Sequence, residues 1–167
     1  MTIHTEHRPP LPMPRMEIAT LLVFLGIAFL PAIIGMATPP DAWFGSLTKP
    51  AWNPPSWLFG PVWTILYSLI GYAGYLAWNS SIGRKRNRIF SIYAIQLFLN
   101  ALWTPLFFGY HIPGLALIDI TALWVTIALN IVAFYRIKPA AGLLLIPYWL
   151  WVTFATFLNF SIWKLNA

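Results

Sequence analysis

Few residues in this chain are placed to do covalent chemistry. Cysteine is absent, and the three histidines are His4 and His7 in a proline-rich N-terminal stretch and His111 in a short connection. No His pair at i, i+4, no Glu-x-x-His and no phosphate-cradling glycine loop occurs, so no metal centre and no hydrolytic constellation can be read. What remains is a set of amides, indoles and small residues at helical spacing. Gln96, Asn100, Trp103 and Phe107 fall at i, i+4, i+7 and i+11. Trp151, Ala155, Asn159, Ile162 and Asn166 form a similar stripe, as do Asp119, Thr126 and Asn130. Trp63, Tyr67, Gly71 and Gly74 form another. Such faces offer hydrogen bonding and flat stacking rather than proton transfer.

The elements that carry these stripes follow from composition. Of the 167 residues, 59% are apolar, 17% aromatic and 8% charged, against roughly 45–50% apolar and about 25% charged in an ordinary soluble domain. A water-facing surface cannot be assembled from so few charges, which excludes a soluble domain, a disordered chain and a coiled coil. Spanning a bilayer takes about 20 mostly apolar residues, and five segments qualify: about 18–37, 56–78, 89–110, 114–135 and 141–163. None alternates as a barrel strand does, and lipid gives an open backbone no partner. The predicted fold is an all-α integral membrane protein, a five-transmembrane-helix bundle over 18–167, preceded by a flexible, proline-rich tail over 1–17. The first span reads as a retained helix rather than a cleaved leader, because its apolar stretch is longer than the usual 7–15 residues of a signal core.

Eight of the ten Lys and Arg share one face of such a bundle: Arg8, Arg15, Arg84, Lys85, Arg86, Arg88, Arg136 and Lys138, with Lys49 and Lys164 on the other. If the membrane is a bacterial inner membrane, the positive-inside rule puts the N-terminus and the Arg84–Arg88 loop on its cytoplasmic side. The net charge of +6 is therefore an orientation signal, and no nucleic acid partner is implied. The first loop, about 38–55, is stiffened by Pro39, Pro40, Pro50, Pro54 and Pro55 and reads as an extended cover. Of the ten tryptophans, Trp43, Trp52, Trp57, Trp78 and Trp163 lie at or beyond span ends, as an interfacial belt requires. Trp63, Trp103, Trp124, Trp149 and Trp151 lie deeper, where each indole N–H needs a partner.

Two readings of the interior amides stay open. Gln96, Asn100, Asn130 and Asn159 can bond from helix to helix as polar glue. Together with the rings and small residues on the same faces, they can also line a cavity for a flat apolar ligand. Asp119, the one acid within a span, reads as structural, near a helix start where the dipole tolerates it.

Several ordered motifs carry a resemblance. They are Trp43-x3-Leu47-x-Lys49-Pro50-x-Trp52-x-Pro54-Pro55; Gly60-Pro61-Val62-Trp63 with Leu66-Tyr67; Gln96-Leu97-x2-Asn100-x2-Trp103-x-Pro105; Ala116-Leu117-x-Asp119; and Pro147-Tyr148-x2-Trp151-x3-Ala155-x2-Leu158-Asn159. Over about residues 18–166 the chain resembles the translocator protein family, also called the peripheral-type benzodiazepine receptor or tryptophan-rich sensory protein family.

That resemblance implies a five-helix bundle, often a homodimer, with a pocket opening toward the first loop. It implies binding of porphyrins such as protoporphyrin IX and of benzodiazepine-type and isoquinoline carboxamide ligands, with cholesterol added in animal members. Carried over position by position, the pocket would take Trp63, Trp151, Ala155 and Leu158, the lid residues Trp43, Trp52 and Pro54, and the interior Asn100, Trp103 and Asn159. Leu115 stands where animal members carry Trp, and Phe160 where the sterol motif wants Tyr, which argues against sterol as the main ligand. No cofactor is required; a porphyrin would be a ligand. The first expectation is thus a membrane receptor and regulator of tetrapyrroles. An enzyme-like alternative, light- and oxygen-dependent porphyrin breakdown, would draw on Trp52 and Trp151. A third, porphyrin or sterol transport, lacks the inverted repeats and charge pairs of ion-coupled carriers.

Overall fold

The computed structural model describes residues 14–167, so most of the expected tail lies outside the described residues. Helix α1 begins at Pro14 and runs to Ala37; proline's fixed φ suits a first helical turn. The first loop holds a short helix α2, Ala42–Ser46, and a 3-10 turn, Ser56–Leu58. Then follow α3, Phe59–Asn79; α4, Gly83–Thr104; a π-helical turn, Pro105–Gly109; α5, Pro113–Tyr135; α6, Pro139–Leu143; and α7, Ile146–Leu165. The described residues contain no strand.

Three departures from the expected spans have local causes. The basic run is not a loop. Arg84 to Arg88 form the first turns of α4, and the connection shrinks to Ser80–Ile82, because Lys and Arg are good helix formers. Gly83, at φ +63°, makes the entry turn. The third expected span ends as α-helix at Thr104, because Pro105 has no N–H to give the ladder. The chain continues as a π turn in which the Tyr110 amide bonds the Pro105 carbonyl at 2.8 Å. The fifth is split at Leu144–Leu145, since Pro147 cannot bond the carbonyl four residues back and its ring crowds that carbonyl.

By length and hydropathy, four segments can cross a membrane: 17–37, 86–109, 113–135 and 139–165. The remaining long helix, α3, has 21 residues and no charge, but Trp63, Trp78, Tyr67, Tyr72, Tyr75 and its glycines lower its mean hydropathy. The chain is a multi-pass membrane protein. Its long helices close a ring in the order α1, α3, α7, α5, α4, back to α1. A continuous core of Phe24, Ile70, Tyr93, Ile127, Phe134 and Tyr148 fills the ring. Outward-facing apolar side chains such as Ile33, Phe98, Ile118 and Phe157 are exposed, as a lipid-facing surface requires.

The seams of this ring are built differently. At α1–α3 the backbones approach so closely that a Cβ on Gly71 would lie 2.9 Å from Leu25 Cα. At α3–α7 the helices meet chiefly through rings: Phe59 against Trp151 at 5.9 Å and Trp63 against Tyr148 at 6.2 Å between centroids.

Candidate functional site

The α3–α7 seam lies beneath the first loop, and the predicted residues distribute around it in three groups. The first follows the seam. Trp52, 48% exposed on the loop, packs its edge on Phe154 at 5.6 Å. Phe154 lies 5.4 Å from Trp151, and Trp151 meets Phe59 at the start of α3. One turn along α3, Trp63 stacks on Tyr67 at 5.1 Å and an interplanar angle of 24°. Rings from the loop, α3 and α7 therefore form one contiguous aromatic wall. Ala155, half-buried, packs on the adjoining core. Pro54 is half-buried in the loop, where its carbonyl accepts a bond from Asn53 Nδ2 at 3.1 Å.

The second group lies on the other side of the loop. Trp43 stacks on His111 at 4.2 Å and 15° and sets its edge on Phe107. Leu158 is buried in this satellite core with Leu106, Phe107, Ala116 and Ile162. Trp43 and Trp52 thus rest on different rings, Phe107 and Phe154, which both belong to this satellite core.

The third group is deeper and polar. Asn100 accepts from the Tyr67 hydroxyl at 3.0 Å and donates through Nδ2 to the Tyr148 hydroxyl at 2.9 Å, joining α4 to α3 and α7. Trp103 Nε1 donates to Asn159 Oδ1 at 3.0 Å, and Asn159 Nδ2 donates to the Pro113 carbonyl at 2.9 Å. Asn130 donates to Gln96 at 2.8 Å. The amides therefore work here as polar glue between helices. Sequence reasoning placed Tyr67 and Tyr148 in the motifs but missed them as the partners of Asn100; only the fold brings residues 33 and 48 positions apart together. Asp119 is buried and lies beyond the first turn of α5, deeper than expected, with neither carboxylate oxygen hydrogen-bonded. Among the described residues no group of three His, Asp or Glu could hold a metal.

The loop is pinned at both ends. Asn166 at the end of α7 accepts from the Thr48 amide and donates to its carbonyl, both at 2.9 Å. Asp41 caps α2 by accepting from the Phe44 amide at 3.2 Å and sits 3.1 Å from His111 Nε2. His111 holds a left-handed φ of 56°, a conformation costing roughly 1–2 kcal/mol for a residue with a Cβ. The Phe44 amide holds the Asp41 carboxyl below its ordinary value, opposed by burial and assisted by the nearby His111. A depressed carboxylate contributes fully above its unfolded value of about 3.9 and loses that contribution as pH falls through the lower folded value. Protease nicking of the first loop should therefore stay flat from neutral pH down to about pH 4 and rise below it. Asp41→Ala should be nicked faster at neutral pH, with the difference narrowing below about pH 4. A rise already complete by about pH 5.5 would show that Asp41 does not hold the loop.

Two surface cavities, about 520 and 470 Å³, lie elsewhere: one lined by α1, α3 and α4 around Phe24 and Trp78, the other between α4 and α5. Under the loop the rings touch one another, so a ligand there requires the loop and the Trp52–Phe154 contact to open.

Comparison with known proteins agrees with the motifs. The profile of the TspO/MBR family matches residues 19–164. The tryptophan-rich protein TspO of Chlorobaculum tepidum is 44% identical over 156 residues, covering 90% of this chain and 98% of that protein. The tryptophan-rich sensory protein of Cereibacter sphaeroides is 39% identical over 151 residues, covering 90% and 94%. The translocator protein of Homo sapiens is 41% identical over 126 residues, covering 74% and 75%. Matched along nearly its whole membrane domain, the chain belongs to the TspO/MBR family.

Proposed function

We propose that this protein is a membrane receptor and regulator that binds tetrapyrroles such as protoporphyrin IX, and benzodiazepine-type or isoquinoline carboxamide ligands, at the ring-lined seam between α3 and α7. The observation that carries this reading is the contiguous wall Trp52–Phe154–Trp151–Phe59 beneath the first loop. A flat macrocycle gains offset stacking on such rings, about 0.5–1.5 kcal/mol per aromatic pair beyond the area buried. Lys49, which now bonds the Leu47 carbonyl at 3.2 Å and lies 4.5 Å from the Phe44 ring, can swing to a propionate when the loop lifts. The absence of charge from α3 supports a fifth crossing. The clustering of arginines at the α4 start and α5 end supports a cytoplasmic position for that end.

Quenching of tryptophan fluorescence by protoporphyrin IX in detergent tests the proposal. Trp151→Ala should weaken binding about tenfold, the loss of one stacked ring with its buried area, while Trp57→Phe, on the exposed 3-10 turn, should not. Quenching no stronger than on an unrelated helical membrane protein would refute it. Loss of porphyrin absorbance under light, abolished by Trp52→Phe or Trp151→Phe with binding intact, would instead show turnover.

A further inference from the structure

The cavity of about 470 Å³ between α4 and α5 is lined by Arg84, Arg88, Ile89, Ile92, Ala133 and Arg136. Arg84, Arg88 and Ile92 form one i, i+4, i+8 ridge of α4, and Ala133 and Arg136 face it from α5. Three arginines thus line one cavity together with apolar side chains of the two helices. Among the described residues the only ion pair is Asp41 with His111, at the opposite end of the bundle, and none of their carboxylates pairs with these arginines. Arg84 and Arg88 also sit at the wrong end of α4, whereas Arg136 caps the C-terminus of α5. The α4 N-terminus has no side-chain cap and no acid in its first turn, and its positive dipole end repels cations. An anion between the arginines would relieve both effects. Neighbouring Arg86 is spent elsewhere, 4.0 Å over the Trp78 ring on the side away from α5.

We infer that this cavity binds the phosphodiester headgroup of an anionic glycerophospholipid, with Arg84, Arg88 and Arg136 on the phosphate and an acyl chain along the α4–α5 groove. The lipid, rather than free phosphate, is favoured by what lies beneath the arginines. Ile89 and Ile92 lead toward Ile95 on α4 and Leu129 and Val132 on α5, all three of them half or more exposed. Guanidinium forks suit phosphate oxygens bidentately, and basic pockets between spanning helices are the expected seats of acidic headgroups.

The test uses the purified full chain in neutral detergent, read by thermal unfolding and by native mass spectrometry. Short-chain phosphatidylglycerol should raise the unfolding midpoint by several degrees and remain bound, whereas phosphatidylcholine of the same chain length should do neither. Arg84→Gln/Arg88→Gln/Arg136→Gln should weaken phosphatidylglycerol binding about tenfold or more, and Arg86→Gln should leave it unchanged. If the triple variant does not fold, Arg136→Gln alone should weaken binding severalfold, and the two-lipid comparison on the unaltered protein still decides. Equal binding of the two lipids, or undiminished binding by the arginine variants, would overturn the inference. So would inorganic phosphate stabilising as strongly as the lipid, since the site would then serve a free anion.

Discussion

Gly142→Ala and Gly71→Ala should each lower the thermal unfolding midpoint, whereas the same substitution at Gly26 should be neutral or slightly stabilising. Alanine is the better helix former by about 0.5–1 kcal/mol, so the sign depends on what the new methyl meets. At Gly142 it would lie 2.7 Å from Tyr135 Cβ, 2.8 Å from Tyr135 Cα and 2.8 Å from the Ile131 carbonyl. Two of those three are backbone atoms of α5, so α6 must move off α5. At Gly71 the methyl would meet Leu25 Cα at 2.9 Å and the Phe24 carbonyl at 3.0 Å, pushing α1 from α3. Overpacking of this kind costs about 1–3 kcal/mol, more than the helix preference returns. At Gly26 nothing lies within 4 Å, and only the preference remains. Unfolding of the three variants in one detergent checks the ordering. Equal midpoints would mean that the glycines do not set helix separation.

Gly71 also shows how far the sequence could be read. Its spacing from Trp63, Tyr67 and Gly74 announces a face with small residues; Gly71 makes the close α1–α3 seam, while Trp63 at the other end of the stripe meets Tyr148 of α7. The amide stripes were legible for the same reason: polar groups within apolar runs have few places to point. Asn100 and Asn159 are buried where the periodicity put them. Three kinds of feature were not legible. Helix breaks at Pro105 and Pro147 depend on local backbone accommodation that a hydropathy run averages away. The helical state of Arg84–Arg88 was masked because charge marks a span end whether the backbone there is helical or not. The Asp41–His111 contact joins residues 70 positions apart in two loops, and no periodicity links loops. The candidate site shares that limit: the motifs nominated Trp43 and Trp52 together, and only the fold shows that they rest on different rings of one core.

Asn100→Leu should produce the second large loss, and its pattern distinguishes the two roles open to an interior amide. The substitution keeps the branched shape, with somewhat greater bulk, but removes the acceptor for the Tyr67 hydroxyl and the donor to the Tyr148 hydroxyl, in residues only 6% and 0% exposed. Stranding buried hydroxyls costs about 1–3 kcal/mol, and interhelical hydrogen bonds in a membrane protein average about 0.6 kcal/mol each, with a maximum near 1.7. Two bonds therefore place the expected loss at about 1–3 kcal/mol. If the cost comes from stranded hydroxyls, adding Tyr67→Phe and Tyr148→Phe should recover much of it, since removing both partners of a buried bond can be nearly neutral. Unfolding of the single, double and triple variants measures this coupling. An unchanged single variant, or a triple variant worse than the sum of its parts, would show that the network does not hold the helices. The ligand reading adds a second axis. Tyr148 is the ring against which Trp63 sets its edge, so freeing Tyr148 should loosen the α3–α7 wall and weaken protoporphyrin quenching. Because both amide groups of Asn100 are already engaged, that weakening should accompany Tyr148→Phe as well. A loss confined to Asn100→Leu would instead mean that the amide turns from its tyrosines to bind the ligand directly.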